Sequence, residues 1–124
     1  MNIEQFYSVV GGDYTSVIGR LRKEDRVIKY ILRFPDDAPS VSALSDAISI
    51  QDWDNLFMLS HTLKGCAANL SLDDIFDKAS AVCEEVRGSE PNKGKPPVND
   101  LAPMMDELEK AVRLFSDTLP LLDH

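Results

Sequence analysis

Apolar positions recur along this chain at helical rather than strand spacing. From Glu24 to Phe34 the set Val27, Ile28, Ile31, Leu32 and Phe34 repeats at three- and four-residue intervals, the stripe of an amphipathic helix. The spacing resumes in Val41, Leu44, Ala47 and Ile48, and again from Asp52 to Leu70, from Ser71 to Gly88 and from Asn99 or Asp100 to Leu119. Two shorter helical pieces, residues 2–10 and 13–19, come first and are separated by Gly11-Gly12, a helix-breaking pair. No segment sustains period-two alternation and no Asn-Gly turn occurs, so strands are not expected.

The punctuation between these blocks fits the same reading. Asp13, Asp52 and Ser71 stand where helix N-caps are needed, and Asp54, Asp73 and Asp74 fall in first turns, where negative charge meets the positive end of the helix dipole. Pro35 and Pro39 either kink a long helix or split it in two. Residues 88–99, "GSEPNKGKPPVN", form a Pro- and Gly-rich loop expected to be flexible, and Pro120 ends the last helix. The pattern predicts an all-α fold in a single domain spanning 1–124. An up-down four-helix bundle occupies about 24–119, with short N-terminal helices over about 2–19 in front of it.

The helix predicted over 52–70 carries the chemistry. At 100° per residue, Leu56, Leu59, Leu63, Cys66, Ala67 and Leu70 share one arc and form the buried stripe. His61 lies close to the opposite side, with Lys64, Gly65 and Ala68 within roughly 60° of it. Burying the imidazole would expose Leu63 and Leu70, so the ring is expected to face outward. A glycine inside a helix costs about 1 kcal/mol relative to alanine. At position 65 it removes the side chain that would obstruct approach to His61, and Ala68 extends the clearance. A neutral imidazole nitrogen is a competent nucleophile toward phosphorus, and the Lys64 ammonium one turn on can reach phosphoryl oxygens. Phe57 and Met58 are candidates for apolar contact with a partner, with bundle-edge packing as the competing reading.

Composition narrows the partners. A formal net charge of -8 argues against nucleic acid, whose phosphates demand clustered Lys and Arg. No apolar run approaches the roughly 20 residues that span a bilayer, and "MNIEQFYSVV" lacks the features of a secretory signal. The expectation is a cytoplasmic, monomeric protein that begins at its own initiator methionine and meets no membrane. Cys66 and Cys83 read as reduced, buried small hydrophobes. His61, His124, Cys66 and Cys83 do not share a face as a tetrahedral zinc site would require, so no metal site is expected.

The residues around His61 resemble a known family. "HTLKGCAANLSL" is similar to the signature of histidine-containing phosphotransfer domains, H-x-L-K-G followed by small residues, often S-A-A-N-L-G. Upstream, "IGRLRKEDRVIKYILRFPDDAP" and "QDWDNLFMLS" resemble the family's approach to the histidine. Cys66 stands where serine is common and Ser71 where glycine is common. The resemblance implies an intermediate of a multistep phosphorelay. His61 would take a phosphoryl group on Nε2 from the receiver aspartate of a hybrid sensor histidine kinase and pass it to a response-regulator receiver. Lys64 would contact the phosphate and Gly65 would admit the receiver. Mg²⁺ would sit on the partner receiver, with no cofactor bound by this chain and no catalytic turnover of its own.

Two other classes share some of these features. A histidine-kinase dimerisation fragment also exposes a phospho-accepting histidine, but it works beside an ATP-binding domain for which this chain has no motif. A non-catalytic adaptor bundle would dock a receiver or another signalling protein through the His61 face. It would keep the small-residue patch while tolerating loss of the imidazole.

Overall fold

A computed structural model describes residues 1–124 and contains seven α-helices and a short 3₁₀ turn. The helices are α1 (Ile3–Val10), α2 (Tyr14–Leu21), α3 (Glu24–Asp37), α4 (Val41–Ser49), α5 (Trp53–Asn69), α6 (Asp73–Glu85) and α7 (Leu101–Thr118). Helices α4 to α7 close a four-membered bundle in chain order, with α5 packed chiefly on α6 and α6 on α7. The all-α expectation holds. The two prolines split the first long helix rather than kink it. Pro35 sits in the last turn of α3, and the extended Ala38 before Pro39 ends that helix, as the residue before a proline is disposed to do.

Side-chain caps start most helices. Asp13, Asp52 and Asp100 each accept a first-turn backbone N–H, from Ser16, Asn55 and Ala102, and Ser40 accepts that of Ala43. The expected cap at Ser71 does not form. Leu72 precedes α6 and offers no capping side chain, while Ser71 adopts a left-handed backbone with φ 51°. A three-residue reversal between two tightly packed helices requires that conformation, which disfavours any side chain bearing Cβ.

One core of 26 buried apolar residues draws on every helix. Phe115 of α7 is its aromatic hub, with ring centres 5.4 Å from Phe6 and 5.0 Å from Phe34. The N-terminal helices brace the C-terminal end of α5. The Tyr7 hydroxyl donates to the Leu70 carbonyl at 2.7 Å, and the Ser71 carbonyl accepts from the Asp13 amide at 2.9 Å. Arg20 of α2 donates to the carbonyls of Ala68 and Asn69 and to the Ser71 hydroxyl. It supplies a cation where the last carbonyls of α5 lack helical partners.

The 88–99 segment is tied back at several points. Lys95 N–H donates to Val86 O, Gly88 N–H donates to Lys93 O, and the Glu85 carboxylate accepts the amides of Val98 and Asn99. Gly94 N–H donates to Asp54 Oδ1 at 2.8 Å, and a Cβ at position 94 would overlap the Trp53 carbonyl. Glycine is required there by the close approach of loop and helix. Gly94→Ala is therefore expected to lift the loop from α5 and cost about 1–3 kcal/mol. A urea midpoint and residue-94 amide exchange identical to the parent would contradict this packing.

Candidate functional site

The buried stripe of α5 is Leu56, Phe57, Ser60, Leu63 and Ala67. It is rotated toward α6 relative to the expected arc, because α6 covers that flank of the helix. Leu59 and Cys66 are only half-buried as a result. Ser60 tolerates full burial by donating its hydroxyl back to the carbonyls of Leu56 and Phe57.

The rotation corrects one expectation. Phe57, read from the sequence as a candidate partner contact with bundle-edge packing as the alternative, is only 3% exposed. It instead forms the floor of the site, its ring centre 5.8 Å from that of His61 and tilted 43° to it. Met58 is 41% exposed. His61 is exposed on the outer face of α5, and Gly65 is exposed one turn further on. A Cβ added at Gly65 would meet nothing within 4 Å. No contact inside the protein demands glycine at this position, and the backbone there lies open to an incoming molecule. Ala68 is half-buried on the same side.

Lys64 is held rather than free. Its Nζ lies 3.6 Å from Glu84 Oε1 of α6 and 5.8 Å from the centre of the Phe76 ring. Arg87 grips the same carboxylate through two donors, Nε to Oε2 and Nη2 to Oε1, both at 2.8 Å, the fork geometry that makes Arg–carboxylate pairs strong. The Arg87 guanidinium carbon also lies 5.0 Å from the centre of the Phe57 ring, a cation–π distance. Phe57 thus contacts His61 on one hand and Arg87 on the other. The Arg87 hydrogen bonds, followed by its charge and that of Lys64, lower the Glu84 pKa to about 2.

Neither Glu84 nor Arg87 stands out in the sequence as part of the site. The i,i+3 spacing of Glu84 and Arg87 was visible, but which flank of α5 they meet depends on the packing of α6. Glu85 has a different task, since its carboxylate holds the backbone of Val98 and Asn99. No three His, Cys, Asp or Glu side chains converge as metal ligands would. Cys83 is buried and Cys66 half-buried, and burial pushes both thiols up from their ordinary pKa. A shallow pocket between α3 and the C-terminal half of α5, bordered by Tyr30, Phe34, Cys66 and Asn69, does not include His61.

Comparison with known families supplies the decisive finding: the Hpt domain family matches residues 35–114. This chain belongs to the Hpt domain family. The match takes in His61, Lys64, Glu84 and Arg87, and leaves α1, α2 and most of α3 outside it. No curated protein and no solved structure matches the chain significantly. Hpt domains are phosphocarrier modules of phosphorelay signalling that engage response-regulator receiver domains. In this Hpt domain no helix is long and apolar enough to cross a membrane.

Because Arg87 depresses the Glu84 pKa, the sign of the pH effect is fixed. The ion pair stabilises the fold above the ordinary carboxylate range and loses that contribution as pH falls toward 2. Carboxyl-resolved NMR is expected to show Glu84 titrating well below the ordinary carboxylate range, and Arg87→Ala is expected to raise its midpoint. A Glu84 midpoint indifferent to Arg87 would refute the shared grip.

Proposed function

We propose that this Hpt domain is a phosphorelay intermediate whose phospho-acceptor is His61. In this reading the imidazole takes a phosphoryl group from a receiver-domain aspartate of a hybrid sensor histidine kinase and surrenders it to the aspartate of a second receiver. The observation that supports it most directly is the exposed imidazole beside a glycine whose missing side chain no internal contact requires. Transfer between two receivers demands that a bulky partner bring its phosphorus in line with a ring nitrogen. An unobstructed helix face answers that demand.

The step balances without a further reagent. Nε2 of the neutral imidazole, with the proton on Nδ1, attacks phosphorus as the acyl-phosphate P–O bond breaks. The aspartate leaves as carboxylate, and the product carries an imidazolium ring bearing a dianionic phosphoryl group. Lys64, one turn away on α5, is the nearest cation along the helix to offset the new charge. Mg²⁺ assists from the receiver's own acidic pocket, so the carrier needs no metal or cofactor and turns nothing over by itself. Gly65, Ala68 and Met58 lie under the docked receiver, and Phe57 supports the ring from below. The protein works as a monomer in the cytoplasm.

His61→Gln is expected to leave the circular dichroism spectrum and urea midpoint unchanged while abolishing acid-labile phosphate. Labelling that persists in this variant would defeat the assignment, and a wild-type protein that binds receivers without ever accepting phosphate would be the adaptor instead. Lys64→Ala is expected to slow transfer roughly tenfold, the scale of a charge-assisted hydrogen bond; an unchanged rate would remove the lysine from the step. Gly65→Gln should stabilise the bundle by about 0.5–1 kcal/mol through helix propensity and still slow transfer. A variant both more stable and fully active would refute the clearance.

A further inference from the structure

We propose that Glu84 is a resting counterion that stands in for the phosphoryl group, holding Lys64 and Arg87 beside His61 until the phosphoryl oxygens displace it. The inference rests on His61 being the acceptor. It makes Arg87 a second phosphate-contacting cation and Glu84 a positioning residue that acts only through the two cations.

The geometry carries the exchange. Two cations converge on one carboxylate of α6, Lys64 from α5 at 3.6 Å and Arg87, two residues past the end of α6, in bidentate contact at 2.8 Å. Both belong to the surroundings of the imidazole: Lys64 follows it by one turn, and Arg87 lies against Phe57, the ring on which His61 rests. A carboxylate in a guanidinium fork offers two oxygens and one negative charge. A phosphoryl group offers three oxygens and about two charges, so it competes for the same donors on better terms.

Exposure makes the exchange feasible. The Glu84 side chain is 54% exposed and that of Arg87 43%, so the freed carboxylate can return to water without the penalty of a buried, unpaired charge. Lys64, at 25% exposure, has its stem packed near Phe76 and its ammonium already on the α6 side, so it needs rotamer changes only. Around the pair, the other charges supplied by these elements lie elsewhere. Asp54 is engaged by Lys93 and the Gly94 amide, and Glu85 by the amides of Val98 and Asn99.

Two consequences follow. The unphosphorylated site presents a compensated surface rather than two bare cations. Glu84 also opposes phosphoryl retention, because its cations must leave it for the phosphoryl group to be held, which favours onward transfer over storage.

The experiment phosphorylates the full chain with phosphoramidate and reads two quantities. The first is the pair of Glu84 carboxyl and Arg87 Nε–H chemical shifts by NMR at neutral pH, where phosphohistidine survives, before and after phosphorylation. Loss of the ion pair is expected to move both resonances on phosphorylation, and resonances that stay in place would overturn the exchange. The second is the plateau of acid-labile phosphate on His61 in Glu84→Gln. It is expected to rise about fivefold, the scale of one exposed ion pair, and to fall back when Arg87→Ala is added. A Glu84→Gln plateau at or below the parent's would mean the carboxylate serves only helix packing, and the proposal fails. Failure of the wild type to take phosphate on His61 would sink the acceptor assignment itself, which keeps the two failures apart.

Discussion

The roll of α5 about its own axis is the constraint from which the site follows. Leu56, Phe57, Leu63 and Ala67 are buried on one side, and each large apolar side chain among them stabilises the fold by about 1.5–3 kcal/mol relative to exposure. Turning the helix far enough to bury His61 would forfeit several of these contributions and strand an imidazole in the core. The exposed ring is therefore held in place by residues buried in the core. Phe57 joins the two roles, since it belongs to the core by burial and to the site by its contact with His61.

Electrostatics at the site run against the protein's average. The chain carries a formal charge of -8, yet the surroundings of His61 gather Lys64 and Arg87 about one carboxylate. An acidic surface keeps the molecule soluble and discourages polyanions, whereas a phosphoryl group needs local positive charge. Local cations with an internal counterion reconcile these demands.

The backbone plan was legible because helical periodicity and cap chemistry are local properties. The Asp13 and Asp52 caps lie where the sequence placed them, and Leu56, Leu63, Ala67 and Leu70 are buried as their phase required. The buried side of α5 was legible only to within one residue's rotation. A helix wheel knows its own stripe but not how far a neighbour overlaps the edge, and α6 overlaps on the Phe57 side. For the same reason Glu84 and Arg87 could not be assigned to the site, since their meeting with Lys64 depends on the packing of α6 against α5. Ser71 was misread as a cap because its residue type favours capping, while the closeness of the α5–α6 reversal imposes a positive φ. The loop's anchoring was hidden as well, for a glycine in a Pro-rich stretch signals freedom as readily as close approach.

That reversal explains why helices outside the family match belong to the working structure. A left-handed serine costs about 1–2 kcal/mol, and here its hydroxyl accepts from Arg20 and donates to Ser16 while its carbonyl accepts from Asp13. Gly11 and Gly12 let the α1–α2 connection come close enough to make these bonds: Gly11 has φ 74°, and a Cβ at Gly12 would lie 2.6 Å from the Tyr7 ring. Tyr7 and Arg20 meanwhile satisfy the terminal carbonyls of α5. The segment before residue 35 thus fixes where α5 ends and how it turns into α6. The same packing decides whether Lys64 on one helix stands opposite Glu84 on the next and Arg87 just beyond its end.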